Sequence, residues 1–390
     1  MTQEVCIVSA VRTPIGSFLG ALSSLTAPQL GAKAIAAAVD KAGINKDQID
    51  EVIMGNVLTA AVGQAPARQA AIFAGLPKHV PCTTIGKVCG SGLKSVMMAS
   101  QAIRCGDANV VVAGGMESMS NAPHAMQMRQ GQKLGHTKIT DTLLHDGLWD
   151  VYNDFHMGQA GELCAKEKNI SREQQDAYAK SSYERAQKAS NDGLFKDEII
   201  PIEIQQRKET FIIDRDEDID KARFDKFATL RPAFDKEGTV TAANASNIND
   251  GAAAVVLASK AWCEKNNIPY MAVIQGSTQA AREPEWFTMA PADAVEALHK
   301  KLSWTKDDVD SYEINEAFSL VSLAVSEQLG LDMSKVNPRG GAVAMGHPIG
   351  ASGSRILVTL LHHLKQNKLK KGIASLCIGG GEAVALAVQI

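Results

Sequence analysis

Two stretches near opposite ends of the chain repeat one pattern. Asn109-Val110-Val111-Val112-Ala113-Gly114-Gly115 and Gly372-Ile373-Ala374-Ser375-Leu376-Cys377-Ile378-Gly379-Gly380-Gly381 are each a small, apolar strand entering a glycine loop. Each follows a glycine-rich turn and a long helical pattern, Cys89–Arg104 in the first case and Ser352–Leu364 in the second. Similarity at this distance is the mark of an internal duplication, two βαβ-rich halves packed together. Continuous apolar strands between helices predict mostly parallel sheets covered on both faces. A first strand falls at Val5–Val8. Thr26-Ala27-Pro28-Gln29 then opens a helix with a capping-box pattern that stops at Gly43. Val52–Met54 reads as a strand, as does Met271–Gln275. Helices are predicted over Pro291–Leu302 and Phe318–Leu329.

Between the repeats the pattern breaks. After about residue 120 the regular apolar runs stop, and Met, His, Lys, Asn and Gln become frequent. A charged helix opens at Ser171-Arg172-Glu173-Gln174 and runs to about Asn191, and residues 205–226 are strongly charged. The expected division is a first half over 1–120 completed by about 246–268, an insertion over 121–245, and a second half over 269–390. A chain of 390 residues is long enough for two or three domains.

A net charge of -3 offers no general attraction to nucleic acid or acidic membranes, and no apolar run is long enough to span a bilayer. Seven scattered cysteines with no CxxC pair favour free thiols in a reducing compartment over a zinc site. A cytoplasmic location is expected, with a mature mitochondrial form as the alternative.

Four segments carry chemistry. Val88-Cys89-Gly90-Ser91-Gly92-Leu93-Lys94 places Cys89 near a helix N-terminus, where amide N–H groups and the helix dipole favour a thiolate. A buried cysteine in a tight turn would look the same. The run Asn337–Gly353 is too rich in Gly and Pro for an element interior, and His347 is its only base. Cys377-Ile378-Gly379-Gly380-Gly381 puts a thiol at a strand's end beside unobstructed amides, as an oxyanion hole requires. In Glu313-Ile314-Asn315-Glu316-Ala317-Phe318, Asn315 either anchors a water or caps a helix.

Together these segments resemble the thiolase superfamily, most specifically its biosynthetic, acetoacetyl-CoA type. The resemblance runs through essentially the whole chain, including Arg12-Thr13-Pro14-Ile15-Gly16, Gly114-Gly115-Met116-Glu117-Ser118-Met119-Ser120, Asn244-Ala245-Ser246 and Asn249-Asp250-Gly251. It implies a layered α/β/α/β/α fold and a catalytic set of Cys89 as acyl carrier, His347 as base, Cys377 as proton shuttle, Asn315 as water holder and Gly379 as oxyanion donor. It also implies that His156, Met157, Ser246, Ala317, Phe318 and Phe287 hold the CoA substrate. No metal or redox cofactor is needed; acetyl-CoA, acetoacetyl-CoA and CoA are the expected partners.

The stretch Ala122–Lys138 resembles the family's tetramerisation arm, which implies a homotetramer. Its Arg129, Lys133 and Lys138 are candidates for CoA phosphates or for ordinary solvated charges. The chain departs from the family pattern at Gly86, where Asn, Ser or Thr is usual three residues before the nucleophile. It departs again at about Ile219, where the potassium-activated subtype carries tyrosine, and at Thr288, where that subtype has proline after the residue matching Phe287. Rival expectations are a degradative 3-ketoacyl-CoA thiolase, a decarboxylating ketoacyl synthase, and a non-catalytic CoA- or lipid-binding protein.

Overall fold

The computed structural model describes residues 3–206 and 209–390. The first part of the chain forms β1 (Val5–Arg12), α1 (Ala27–Ala42), β2 (Glu51–Gly55), α2 (Pro66–Phe73), β3 (Cys82–Ile85), α3 (Ser91–Cys105) and β4 (Val110–Ser118). Thr26 caps α1 through the expected box with Gln29, and Gly43 ends it at φ 64°. Residues that follow β4 leave the sheet and include α4 (Met157–Glu167) and α5 (Arg172–Asn191), the latter capped by Ser171 and Gln174. The chain re-enters the sheet at β5 (Asn249–Ser259). It then forms β6 (Ala272–Ala281), α6 (Ala290–Leu302), β7 (Ser311–Ile314), α7 (Ser319–Leu329), α8 (Ile349–Asn367), β8 (Lys371–Ile378) and β9 (Glu382–Gln389).

The ten-stranded sheet has the order β7-β8-β9-β6-β1-β5-β4-β2-β3, with the short strand Gly16–Ser17 paired to β5. The run β6-β9-β8-β7 repeats β1-β5-β4-β2, so the duplication is real at the level of topology. The halves join where Cys6 and Ile7 of β1 pair antiparallel with Val273 and Ala272 of β6. Within each half all strands but one point the same way; the reversed strands are β5 and β9. The reversal of β9 follows from its connection: three glycines bridge a hairpin, whereas a parallel return needs a crossover of a dozen residues or more.

Both faces of the sheet are covered. Alternate residues of β1 feed different cores: Val5 and Ile7 pack with α3 and α8, whereas Cys6 and Val8 pack with α1. A third core gathers α4, α6 and α7 around Tyr312, Cys377 and Ala385. The helices α3 and α8 form an inner layer between the two half-sheets, which gives the α/β/α/β/α stack. They touch at their first turns through glycine. A Cβ on Gly92 would lie 2.7 Å from the Ser354 nitrogen, and one on Gly353 would collide with the backbone of Leu93. The glycines Gly114 and Gly115, read as a loop, lie inside β4 instead. Any side chain there would run into the Ala253 or Gly350 carbonyl, so glycine marks close packing of strand and helix, not a turn.

Candidate active site

Because α3 and α8 meet at their N-terminal turns, the residues just before those helices converge. Cys89 sits on the turn from β3 into α3. Gly90 and Ser91 N–H groups donate to the Lys87 and Val88 carbonyls at 2.9 and 3.1 Å. The Ser91 hydroxyl accepts from the Lys87 N–H at 2.8 Å and donates to Val88 O at 2.7 Å. These bonds hold Val88 at φ 42°, a left-handed conformation rarely adopted by a β-branched residue. Such strain costs about 1–3 kcal/mol and gathers at functional positions. The amides act on the sulfur in the expected direction, but burial works against them. Burial pushes the Cys89 thiol up to about 11, although the N–H groups of Gly379 and Cys89 itself pull the other way. Desolvation outweighs the two amides because most other amides of that turn are already bonded.

His347 precedes α8. Gly346, at φ 105°, turns the chain, and the His347 N–H donates to Asn249 Oδ1 at 3.0 Å. Asn249 is itself fixed by Nδ2 bonds to Gly16 O and Asp218 Oδ2 at 3.0 and 2.8 Å. The imidazole Nδ1 lies 2.6 Å from Ser352 Oγ, whose hydrogen is given to Pro348 O at 2.8 Å. Ser352 therefore accepts, which assigns the proton to Nδ1 and leaves Nε2 bare. Nε2 is buried and has no partner among the described residues. Burial, and then the charge of Arg355, push the imidazole down to about 3, so it rests as a neutral base.

Cys377 is the penultimate residue of β8 and is fully buried. Burial, and then the neighbouring Cys89, hold its thiol far above the ordinary range. Gly379 follows at the start of a turn completed by Gly380 and Gly381, both left-handed at φ 94° and 88°. Asn315 does not cap α7, whose N-cap is Phe318. Its Nδ2 instead lies 3.4 Å from His347 Nδ1, behind the ring.

A cavity of about 310 Å³ opens from this point. Cys89, His347 and Gly379 line its inner end, and all six residues expected to hold CoA line it as well. His156 caps α4 by accepting the Gly158 N–H at 2.9 Å and stacks on Phe234, centroids 4.6 Å apart. Phe234 meets Phe318 edge-on at 6.3 Å, and Phe318 meets Phe287 at 6.5 Å, giving the walls an aromatic collar. The Ser246 N–H donates to Ala317 O at 3.0 Å, which ties two of the predicted wall residues together. A second cavity, of about 470 Å³, shares Phe234, Ala245, Ser246, Asn247 and Ile248 and continues outward past Phe18 and Asp218.

Other residues fall elsewhere. Cys377 and Asn315 lie behind the cavity wall, not on it, and Arg129, Lys133 and Lys138 are exposed on the arm, away from both cavities. Gly86 is exposed, and a Cβ there would lie 4.0 Å from the Asn56 carbonyl, so neither space nor backbone demands glycine. Thr288 is buried beside Phe287, and Ile219 packs with Tyr183 and Phe227. Among the described residues no group of three or more His, Cys, Asp or Glu is arranged to hold a metal, and no helix is long and apolar enough to cross a membrane.

Three contributors escaped the sequence reading: Asn249 and Ser352, which fix His347, and Glu117. The Glu117 carboxylate accepts from Asn56 Nδ2 at 2.6 Å and from the N–H groups of Val57, Leu58 and Gly350 at 3.0, 3.2 and 2.9 Å. It thereby stitches the loop after β2 to the first turn of α8, while burial pushes it up to about 7. Each lies within a recognised motif; only the fold supplies its partner.

A duplicated α/β molecule whose inner helices present a thiol and a bare imidazole to one tunnel has the architecture of the cysteine-dependent thioester enzymes. Within that class the chain belongs to the thiolase family: the thiolase N-terminal domain matches residues 5–261 and the thiolase C-terminal domain residues 268–390. It is similar to an acetyl-CoA acetyltransferase of Cupriavidus necator, 53% identical over 99% of each chain. A Pseudomonas aeruginosa protein of the same name is 50% identical over 98% of each. Among solved structures, the Bacillus anthracis acetyl-CoA acetyltransferase superposes with a TM-score of 0.97 at 41% identity, covering 100% of this chain and 99% of the other. The Acat5 thiolase of Ascaris suum, solved in complex with coenzyme A, gives 0.95 at 43% identity over 99% and 100%.

Proposed function

We propose that the protein is an acetyl-CoA C-acetyltransferase, joining two acetyl-CoA molecules into acetoacetyl-CoA and CoA or running the reverse thiolysis. The observation that carries this reading is the bare Nε2 of His347 and the thiol of Cys89 on one apolar cavity, with the buried Cys377 thiol a neighbour of Cys89. In condensation, Nε2 takes the Cys89 proton as Sγ attacks the thioester carbon. The acyl oxygen draws negative charge between the N–H groups of Cys89 and Gly379. CoA then leaves as the thiol with the proton from the imidazolium, and Cys89 is acetylated.

Cys377 gives its proton to water and, as the thiolate, takes a proton from the methyl carbon of the second acetyl-CoA. His347 and a water on Asn315 meet the enolate oxygen. The carbanion attacks the acetyl carbon, the bond to Cys89 breaks, acetoacetyl-CoA departs, and the Cys89 sulfur takes up a proton from water to restore the resting thiol.

His156, Met157, Ser246, Ala317, Phe318 and Phe287 would surround the pantetheine arm, and no metal or redox group enters any step. The aromatic collar and the small inner cavity support short acyl chains. The arm at Ala122–Lys138, with exposed Met126, Met128 and Leu134, supports a homotetramer, and seven free cysteines support the cytoplasm. Thiolysis of acetoacetyl-CoA by the purified protein, abolished in Cys89→Ala, tests the assignment. A 3-ketoacyl-CoA series of rising chain length separates it from a degradative thiolase. No turnover of any member would overturn it.

A further inference from the structure

Three arginines, Arg12, Arg339 and Arg355, are buried deeply in this molecule, and the first and last are held very differently. Arg12 is saturated: Nε donates to Glu198 at 2.7 Å, and Nη1 and Nη2 donate to Asp216 at 2.6 and 2.9 Å. Arg355, on the second turn of α8, is 2% exposed, yet its Nε and Nη1 have no hydrogen-bond partner among the described residues. Its nearest carboxylate, Glu313 Oε2, is 3.9 Å away, and neither Glu313 oxygen has a partner either. The one directed contact of Arg355 is Nη2 to Asn315 Oδ1 at 3.5 Å. Hydrogen bonding therefore explains the burial of Arg12 but not that of Arg355.

We propose that Arg355 is a positioning residue for the reaction: its guanidinium fixes which end of the Asn315 amide faces His347, and its charge opposes a second positive charge on that imidazole. A guanidinium only donates, so it selects the oxygen of Asn315 and turns the NH2 end to the His347 side; Nδ2 stands 3.4 Å from Nδ1 as a neighbour and not as its hydrogen-bond partner, since the Nδ1 hydrogen goes to Ser352. Ser352 grips the same nitrogen from within α8. The charged groups facing Arg355 are Glu313 of β7, Glu316 of the loop after it, Glu198, and Arg12 of β1. Burial pushes Glu313 up to about 8, so near neutral pH it does not fully cancel the guanidinium. Arg355 is the one charged neighbour that adds to burial in keeping His347 neutral.

The inference rests on the acetyl-transfer reading only for its kinetic arm. Arg355→Gln is expected to lower kcat roughly tenfold to a hundredfold, as a small misplacement of a reacting group does, with KM for CoA little changed. A base must be uncharged to work, and losing the guanidinium makes the imidazolium less costly. The acid limb of the kcat profile and the onset of His347 protonation, followed by NMR on the substrate-free protein, should both move to higher pH. Arg355→Lys keeps the charge and should leave that onset at its wild-type position. If Arg355→Gln does not fold, the double variant Glu313→Gln with Arg355→Gln removes both charges together and is read in the same way. A folded neutral variant with wild-type kcat, or with His347 uncharged over the same pH range as the wild type, overturns the proposal. The NMR arm needs no turnover, so its failure is distinguishable from failure of the assigned reaction.

Discussion

Cys89 and His347 rest as an uncharged pair. With the thiol near 11 and the imidazole near 3, proton transfer between them is unfavourable until sulfur begins to bond to carbon. The strained turn at Val88 and the amides of Cys89 and Gly379 then act on charge that exists only during the reaction, which is where stabilisation accelerates a step. A pre-formed thiolate–imidazolium pair would be reactive at every pH above its imidazole-assisted ionisation. A neutral pair behaves otherwise. Alkylation of Cys89 by iodoacetamide, followed by mass spectrometry of its peptide, should accelerate about tenfold per pH unit from 7 to 10, because the thiolate fraction grows at that rate below the thiol's pKa. His347→Asn should leave this slope unchanged. A rate already flat at pH 7 would mean that an ion pair is present at rest, and the mechanism above would have to begin from it.

Among the secondary-structure elements, what matters is how closely α3 and α8 approach. Gly92 and Gly353 let the two backbones meet at the turns that carry Cys89 and His347, and Glu117 ties Gly350 to the loop after β2. Gly92→Ala places a methyl 2.7 Å from the Ser354 nitrogen and 2.8 Å from its hydroxyl. Neither helix has slack, since Leu93, Val96, Ile356 and Leu360 are fully buried between the half-sheets. Overpacking of this kind costs about 1–3 kcal/mol. The strain would be relieved by spreading the N-terminal turns, which parts thiol from base. Thermal unfolding should therefore shift down while kcat falls roughly a hundredfold, the effect of about 1 Å of misplacement. An alanine variant with native melting temperature and native kcat would show that the glycine is incidental to the site. Helix limits were legible beforehand because caps and stops are local chemistry: Thr26, Gln29 and Gly43 announce α1 without any tertiary partner. The role of Gly114 and Gly115 was not, because a glycine inside a strand and a glycine ending one look alike until Ala253 and Gly350 are seen pressing on them.

For the whole molecule, the same division holds. The repeat, the two thiols and the histidine are written in contiguous motifs and could be read directly. The reversed β5, the raised Cys89 and the Glu313–Arg355 pair depend on contacts far apart in sequence, and no local pattern encodes them. The arm falls between these cases. Its resemblance to a tetramerisation element is legible, and the fold adds how it is presented: His124–Ala125 pairs with Thr140–Asp141 as a narrow ribbon, beyond which residues 126–139 stand exposed. Leu134 is 92% exposed there and Ile139 59%, with Met126 and Met128 nearby. Apolar side chains gathered on a projecting, otherwise polar loop mark an interface with another protein surface. Replacing residues 126–139 by Asn-Gly closes the ribbon with a favoured hairpin turn and removes the apolar tip without touching the sheet or either cavity. In sedimentation analysis the full-length protein should run as a tetramer and the shortened one as a species of half that mass. Thiolysis at saturating CoA should persist, since no arm residue lines the cavity of Cys89 and His347. If shortening leaves the mass of the assembly unchanged in subunit number, the tetramer is held by some other surface. If activity is lost with it, the arm of a neighbouring subunit completes the site.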